Sequence, residues 1–475
     1  MKPLSALSVW LAAATVPLAS ASVDIDWTSE TSIKAGAKTI AYGLMKYYTG
    51  NNTGDVAGNL PDPYYWWEAG ALFGTMVDYW AYTGDESYVN ETFTALQHQV
   101  GDDNDFMPAN QTKDEGNDDQ GFWALAAMAA AETNFLNPND TAAGGVQWLA
   151  LVQAVFNEYA TRWDTADCGG GLRWQIWSFN TGYTYKNSIA NGCFFNLGAR
   201  LARYTGNSTY AAWANTIYDW MDDVGFIDDE YNVFDGAGFG TGTTTGTGNC
   251  TEIDQTQWTY NAGIWLHGAA AMYNITNGTE QDKWKTRVDG LLARTQTYFF
   301  NDSVLYEPAC EPESACTTDS LSFKAYLVRW LAGTAQLATH TWDTISALLA
   351  ASAEHAALQC DGTATEADGY KGLSGTACGQ KWVDGATWDG TNGVGQQMAA
   401  LSAVFYSQVM AWAPSLYADD DGGTSTGDAS AGLPKTDASL TTLAAITTGD
   451  KAGAVFLTMA TIGGLLAGCA FMVKD

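Results

Sequence analysis

Segments that are apolar on every side alternate along this chain with segments that keep one polar face. The first kind reads WWEAGALFGTMVDYW from Trp66, DQGFWALAAMAAAE from Asp119, SIANGCFFNLGARLA from Ser188, YNAGIWLHGAAAMY from Tyr260, FKAYLVRWLAGTAQLA from Phe323 and VGQQMAALSAVFY from Val394. A helix apolar all round must be buried, whereas a segment such as EQDKWKTRVDGLLART from Glu280 turns one side to water. The periodicity predicts twelve helices, over residues 31–48, 66–82, 87–100, 119–134, 142–162, 185–204, 209–224, 260–273, 280–299, 320–337, 342–358 and 394–412. Strand signals are scarce. Six buried helices alternating with six amphipathic ones describe an all-α toroid, an inner ring wrapped by an outer ring, filling residues 22–417. Echoes at helix ends, KYYTGN from Lys46, AYTGDESY from Ala81 and RYTGNSTY from Arg203, place a Gly to stop one helix and a polar residue to start the next.

If the inner helices run parallel, the loops before them gather on one face. Those junctions are PDPYYWWEAG, EGNDDQGF, YTYKNSIANG, IDQTQWTYNAG, TTDSLSFKAY and DGTNGVGQQ. They mix aromatic rings with Asp, Asn, Gln and Lys, the composition expected where ring faces stack on a sugar and polar groups read its hydroxyls. Trp66, Trp67, Phe122, Asn191, Trp258, Tyr260, Asn261, Asp319 and Lys324 are the binding candidates on that ground, with packing or capping as the alternative for each. Glu68 is a further carboxylate at the mouth of an inner helix.

Asp118 and Asp119 stand where a glycine-bearing loop turns into a helix. Two Asp there can be simple caps, since their carboxylates accept from orphan N–H groups at the positive end of the helix dipole. The pair is also the minimal equipment for acid/base or nucleophilic work on a glycosidic bond. Carboxyls about 5 Å apart imply a retaining double displacement.

The ends of the chain bear on compartment. Lys2, the apolar run to Leu18 and Ala19-Ser20-Ala21 read as a signal peptide, residues 1–21. Residues 418–451 are rich in Ser, Thr, Gly and Asp and read as a disordered stalk, followed by a hydrophobic tail over 452–475. That order is a GPI-attachment pattern, with Asp437-Ala438-Ser439 as one attachment site and residues 427–430 and Gly449 as alternatives. The expectation is a secretory passenger anchored at the outer leaflet of the plasma membrane or held in the cell wall. Sequons at Asn51, Asn90, Asn110, Asn139, Asn207, Asn249, Asn274, Asn277 and Asn301 fit that route.

Of eight cysteines, Cys469 lies in the tail; spacing pairs Cys310 with Cys316 and Cys360 with Cys378, leaving one of Cys168, Cys193 and Cys250 over. A net charge of −32 excludes nucleic acid as a partner. The four histidines are scattered without ligand spacing, so no metal or other cofactor is expected. Asp102, Asp103 and Asp105 lack the Gly and terminal Glu of a calcium loop, the Gly/Thr run after Asp235 lacks the ending of a P-loop, and no G-x-S-x-G elbow occurs.

GNDDQGFWALAAMAAAE from Gly116, with YYWWEAGALFG before it and CGGGLRW, YKNSIANGCFFNLGARLARYTGN, WTYNAGIW and DSLSFKAYLVRWLA after it, resembles glycoside hydrolase family 76. The closer likeness is to its fungal GPI-anchored mannan endo-1,6-α-mannosidase branch, and it spans residues 26–412. The resemblance implies an (α/α)6 barrel, with Asp118 as nucleophile and Asp119 as acid/base. It implies an α-1,6-mannan or GPI-glycan donor and, for this branch, transfer to a β-glucan acceptor that links GPI-proteins to the wall. A monomer is expected. The rival is a catalytically silent mannan-binding or wall-scaffold protein.

Overall fold

The computed structural model describes residues 23–138, 145–239 and 249–433. The expected signal peptide, the attachment site at Asp437-Ala438-Ser439 and its alternative Gly449, the hydrophobic tail, Cys469 and the sequon at Asn139 lie outside the described residues.

All-round apolar segments become the inner helices α2 (Trp66–Thr83), α4 (Asn117–Glu132), α6 (Ser188–Thr205), α8 (Thr259–Ile275), α10 (Phe323–Leu337) and α12 (Val394–Tyr406). Each packs on the next, and α12 packs back on α2, so the ring closes. The amphipathic segments form the outer helices α1 (Glu30–Met45), α3 (Val89–His98), α5 (Trp148–Arg162), α7 (Ser208–Asp223), α9 (Gly278–Phe299) and α11 (Trp342–Leu358). Every residue of α4 from Gln120 to Glu132 is buried, whereas α9 buries the stripe Trp284, Val288, Leu291, Leu292, Thr295 and Phe299. The stripe's spacing is that of a single helical face. Small residues set the ring's closeness: a Cβ at Gly70 would lie 2.8 Å from the Trp123 indole across the α2–α4 contact. The expected toroid is the observed fold.

Boundaries differ where long-range pairing overrides helix propensity. The segment expected to begin a helix at Tyr185 first forms β1 (Tyr185–Asn187), which pairs antiparallel with β2 (Gly236–Gly238), and β2 with β3 (Ile253–Asp254). Only then does α6 start, with the Asn187 side chain accepting from Ala190 N–H as its cap. A second hairpin joins β4 (Phe300–Asn301) to β5 (Val304–Leu305), and the last expected helix breaks after Tyr406 and resumes as α13 (Val409–Trp412).

The far end of the ring is closed by polar groups, one from each inner helix: Asp78, Glu132, Arg200, His267, Arg329 and Tyr406 around a space of about 40 Å³. Arg329 pairs with Asp78 at 2.7 Å, Arg200 with Glu132 at 2.7 Å, and Tyr406 donates to Asp78. Burial and the nearby guanidinium groups hold His267 neutral. With that end plugged, access to the ring's interior is from the end where the inner helices begin.

Among the described residues three disulfides form, Cys168–Cys250, Cys310–Cys316 and Cys360–Cys378, and the buried Cys193 stays free. The segment from residue 418, expected to be part of a disordered stalk, is instead hydrogen-bonded to the barrel as far as Ala431. Asn134 and Asn157 donate to Gly422 and Ala431 carbonyls, and Ser425 Oγ accepts from Leu149 N–H.

Candidate active site

Helix α4 opens at Asn117 with Gly116 as its N-cap. Its first turn is clamped: Asn117 N–H donates to Trp174 O at 2.8 Å, Asn117 Nδ2 to Arg173 O at 2.8 Å, and Arg162 Nη1 to Asn117 Oδ1 at 3.0 Å. Asp119 reaches back so that Gly116 N–H donates to its Oδ2 at 2.6 Å, the carboxylate half of a capping box. Asp118 Oδ1 is buried and has no hydrogen-bond partner in the protein. The pair therefore caps the helix and still leaves one carboxylate oxygen unspent.

Burial pushes both carboxyls up. Asp119 rises to about 7, restrained by Gly116 N–H, and Asp118 is held well above the usual carboxylate range by burial and by the charge on Asp119. The two adjacent carboxyls titrate as one unit, and the pair keeps a proton where separate exposed carboxyls would have lost theirs.

Asp118 and Asp119 open into a cavity of about 290 Å³ whose walls come from the starts of five inner helices and from the β1–β2 ribbon. Trp67, Phe122, Trp258, Tyr260 and Phe323 supply its aromatic walls; Asn187, Asp235, Asp319 and Ser320 supply polar groups. Trp67 Nε1 donates to Asp319 Oδ1 at 3.1 Å, and Tyr185 OH to Asp235 Oδ2 at 2.8 Å. Tyr260 and Phe323 stack with centroids 3.8 Å apart. Four carboxyls around one cavity make it strongly favourable to developing positive charge. A second cavity, of about 380 Å³, adjoins the first and shares Trp67, Asp119, Trp174 and Asp319 with it. Asp118 lines only the first cavity; Asp119 lines both.

Of the sequence-predicted binding residues, Trp67, Phe122, Trp258, Tyr260 and Asp319 line the first cavity and Trp66 the second. The other four lie behind the walls. Asn191 is fully buried and exchanges hydrogen bonds with the backbone of Leu172. Lys324 pairs with Glu311 at 2.7 Å and donates to Gln380 O, holding the 380s loop. Asn261 donates to Asp235 Oδ1 at 3.3 Å, and Glu68 is buried with both carboxyl oxygens unpartnered, its proton held by burial and by the charge on Asp319.

Sequence reasoning missed Trp174, Asp235 and Glu115. Trp174 rides on a loop fixed by Arg173, whose Nη2 pairs with Asp164 and Asp167 at 2.7 Å, and by Lys186, whose buried ammonium donates to three carbonyls of residues 164–170. The Cys168–Cys250 bridge ties that loop to the segment leading into β3. The motif CGGGLRW signalled Trp174, and the Gly/Thr run following Asp235 drew attention away from the carboxylate itself.

Residues 32–419 match the model of glycosyl hydrolase family 76. The chain is 46% identical over 451 residues to mannan endo-1,6-alpha-mannosidase DCW1 of Saccharomyces cerevisiae, covering 94% of each chain. It is 44% identical to the solved structure of Dfg5 from Chaetomium thermophilum in complex with glucosamine, covering 87% of this chain and 98% of that one, with a TM-score of 0.78. The GH76A alpha-1,6-mannanase of Salegentibacter sp. HEL1_6 shares the fold at 17% identity and a TM-score of 0.59, over 80% of this chain and 99% of that one. With a closed ring of six inner helices, an acidic pair at the mouth of one of them and a match over most of its length, the chain belongs to glycosyl hydrolase family 76.

Proposed function

We propose that the chain is a cell-surface retaining glycosidase that cuts α-1,6-mannose linkages and passes the cleaved sugar to water or to another sugar's hydroxyl. The observation that carries this reading is the disposition of the pair: Asp118 meets one cavity, and Asp119 stands where two cavities join. The donor sugar lies in the first cavity with its anomeric carbon facing Asp118, and the bridging oxygen faces Asp119. Asp118 attacks the anomeric carbon while the glycosidic bond breaks, and the proton on Asp119 moves to the departing oxygen. Water or a sugar hydroxyl then gives its proton to Asp119 as its oxygen displaces Asp118. Two inversions restore the starting configuration.

These roles require the pair's single proton to sit on Asp119 when the sugar is bound. Positive charge growing at the anomeric carbon favours ionised Asp118, and Asp235 and Asp319 support that charge. The linkage is taken from the yeast relative, a mannan endo-1,6-alpha-mannosidase. The donor is α-1,6-mannan or a GPI glycan. Transfer to wall β-glucan, from a GPI-anchored enzyme at the outer leaflet, would join GPI-proteins to the wall. The test is the anomer of the first product, followed by NMR on α-1,6-manno-oligosaccharide: α-product supports double displacement and β-product overturns it. Incorporation of the donor sugar into labelled β-glucan tests transfer.

A further inference from the structure

Helix α5 contributes no side chain to either cavity, yet its last turns grip the residues on each side of the Asp pair. Tyr159, fully buried, donates its hydroxyl proton to Asn117 O, the carbonyl of the peptide that carries Asp118 N–H. Arg162 Nη1 donates to Asn117 Oδ1 at 3.0 Å and to Gln120 Oε1 at 2.6 Å. Glu158 Oε2 accepts from Arg162 Nη2 at 2.5 Å and from Gln120 Nε2 at 2.8 Å. Asn117 and Gln120 bracket Asp118 and Asp119, so the first turn of α4 is held to α5 on both sides of the pair. On its far side α5 is held in turn by the segment after residue 418, Asn157 Nδ2 donating to Ala429 O at 3.0 Å and Ala431 O at 2.8 Å. Glycine makes the approach possible: a Cβ at Gly121, one helical turn after Asn117, would lie 2.8 Å from the Tyr159 hydroxyl and 2.6 Å from Cys193 Sγ.

Asp118 has little else to direct it. Its Oδ1 is buried without a partner, so the aim of that oxygen follows the backbone that carries it. The titratable groups facing its carboxyl are Asp119, Asp319, Tyr159, Cys193 of α6 and Tyr260 of α8, none of them a cation. What favours its charge is the N–H of Asp118 and of Asp119, at the positive end of α4. The Asp118 N–H belongs to the same peptide as the carbonyl that Tyr159 binds, and a hydrogen bond to that carbonyl polarises the N–H across the peptide. Burial keeps the Tyr159 hydroxyl protonated, as a donor must be.

We propose that Tyr159 is a positioning residue of the reaction: from an outer helix, through the Asn117–Asp118 peptide, its hydroxyl sets the direction of the Asp118 carboxylate. The inference rests on the reading of Asp118 as nucleophile given above.

The experiment is Tyr159→Phe, which removes the hydroxyl and keeps the ring. Wild type and variant are compared on two donors, α-1,6-linked mannotetraose and a nitrophenyl α-1,6-mannobioside. An effect through Asp118 slows the attack on both, so kcat should fall by about tenfold on each, the factor of one hydrogen bond, with KM within about twofold of wild type. In the pH profile of kcat/KM, the lower limb, where the pair loses its first proton, should move to higher pH, because Asp118 ionises less readily without the polarised N–H. Calorimetric binding of mannotetraose counts the folded sites, so a folding loss is not read as a loss of rate. Wild-type kcat on both donors overturns the proposal, and a fall in Tm with that result leaves Tyr159 a packing residue. A loss confined to mannotetraose also overturns it, by placing the effect on Asp119, as does a lower limb that does not move. Asp118→Asn, run alongside, separates the two readings. If that variant turns over as wild type does, the reading of the pair fails; if it is inactive while Tyr159→Phe keeps the wild-type kcat and pH profile, only this inference fails.

Discussion

The N–H of Gly116 donates to Oδ2 of Asp119, and the same glycine leaves room for Asp118. A Cβ built at Gly116 would press on Asp118 Oδ1, the unpartnered oxygen of the pair. Gly116→Ala should therefore displace the proposed nucleophile without touching the core, lowering kcat by about 10- to 100-fold, the scale of a misplacement near 1 Å. Steady-state kinetics with a circular-dichroism check of folding measures this. Wild-type kcat would show that the oxygen's position is not critical.

Asn261 reaches Asp235 and not the cavity. Asn261→Ala should weaken donor binding through Asp235, raising KM by roughly 3- to 10-fold, the loss of about one hydrogen bond. If Asn261 acts only through that carboxylate, Asn261→Ala should add little in an Asp235→Asn background. A double-mutant cycle on KM reads this, and full additivity would contradict it.

Lys324 is predicted to matter for stability and not for sugar. Its ammonium is fully buried against Glu311, and removing one member of such a pair costs about 3–5 kcal/mol because the other charge is left uncompensated. Lys324→Met should lower the midpoint of denaturant unfolding while KM on folded enzyme stays at the wild-type value. The reverse pattern would return Lys324 to the binding site.

Stability should fall as pH rises from the ordinary carboxylate range to about 9. Burial raises Glu115 to about 9, Glu307 to about 8 and Glu158 to about 7 in the folded chain. These groups stay protonated in the folded state while the unfolded chain ionises them near 4.5, so the folded state binds more protons throughout that window. Scanning calorimetry from pH 4.5 to 9 checks the sign. Glu115→Gln should flatten the slope, and a Tm that climbs across the window would contradict the assignment.

The inner ring was legible because helices such as α4 and α8 are apolar on every side, a pattern that admits only burial. The Asp pair was legible because Asp at a helix start after Gly is a local signal. Junction composition could not distinguish a side chain facing the cavity from one holding a loop behind it. Asn191 and Lys324 share junctions with Asn187 and Asp319, yet their polar atoms point to backbone at Leu172 and Gln380. Trp174 and Asp235 escaped notice because their places depend on Arg173 with Asp164, Lys186 with residues 164–170, and the pairing of Asn187 with Gly236. No sequence window contains those contacts together.

The most direct test of the central claim is kinetics of Asp118→Asn and Asp119→Asn, measured separately on α-1,6-mannotetraose and on the nitrophenyl α-1,6-mannobioside. The account predicts that Asp118→Asn loses both activities by several orders of magnitude. Asp119→Asn should lose mannotetraose cleavage but release nitrophenol in a burst, because that leaving group needs no proton and the glycosyl-enzyme then waits for a base. Substantial turnover of mannotetraose by either variant, or loss of aryl-donor chemistry confined to Asp119→Asn, would contradict it.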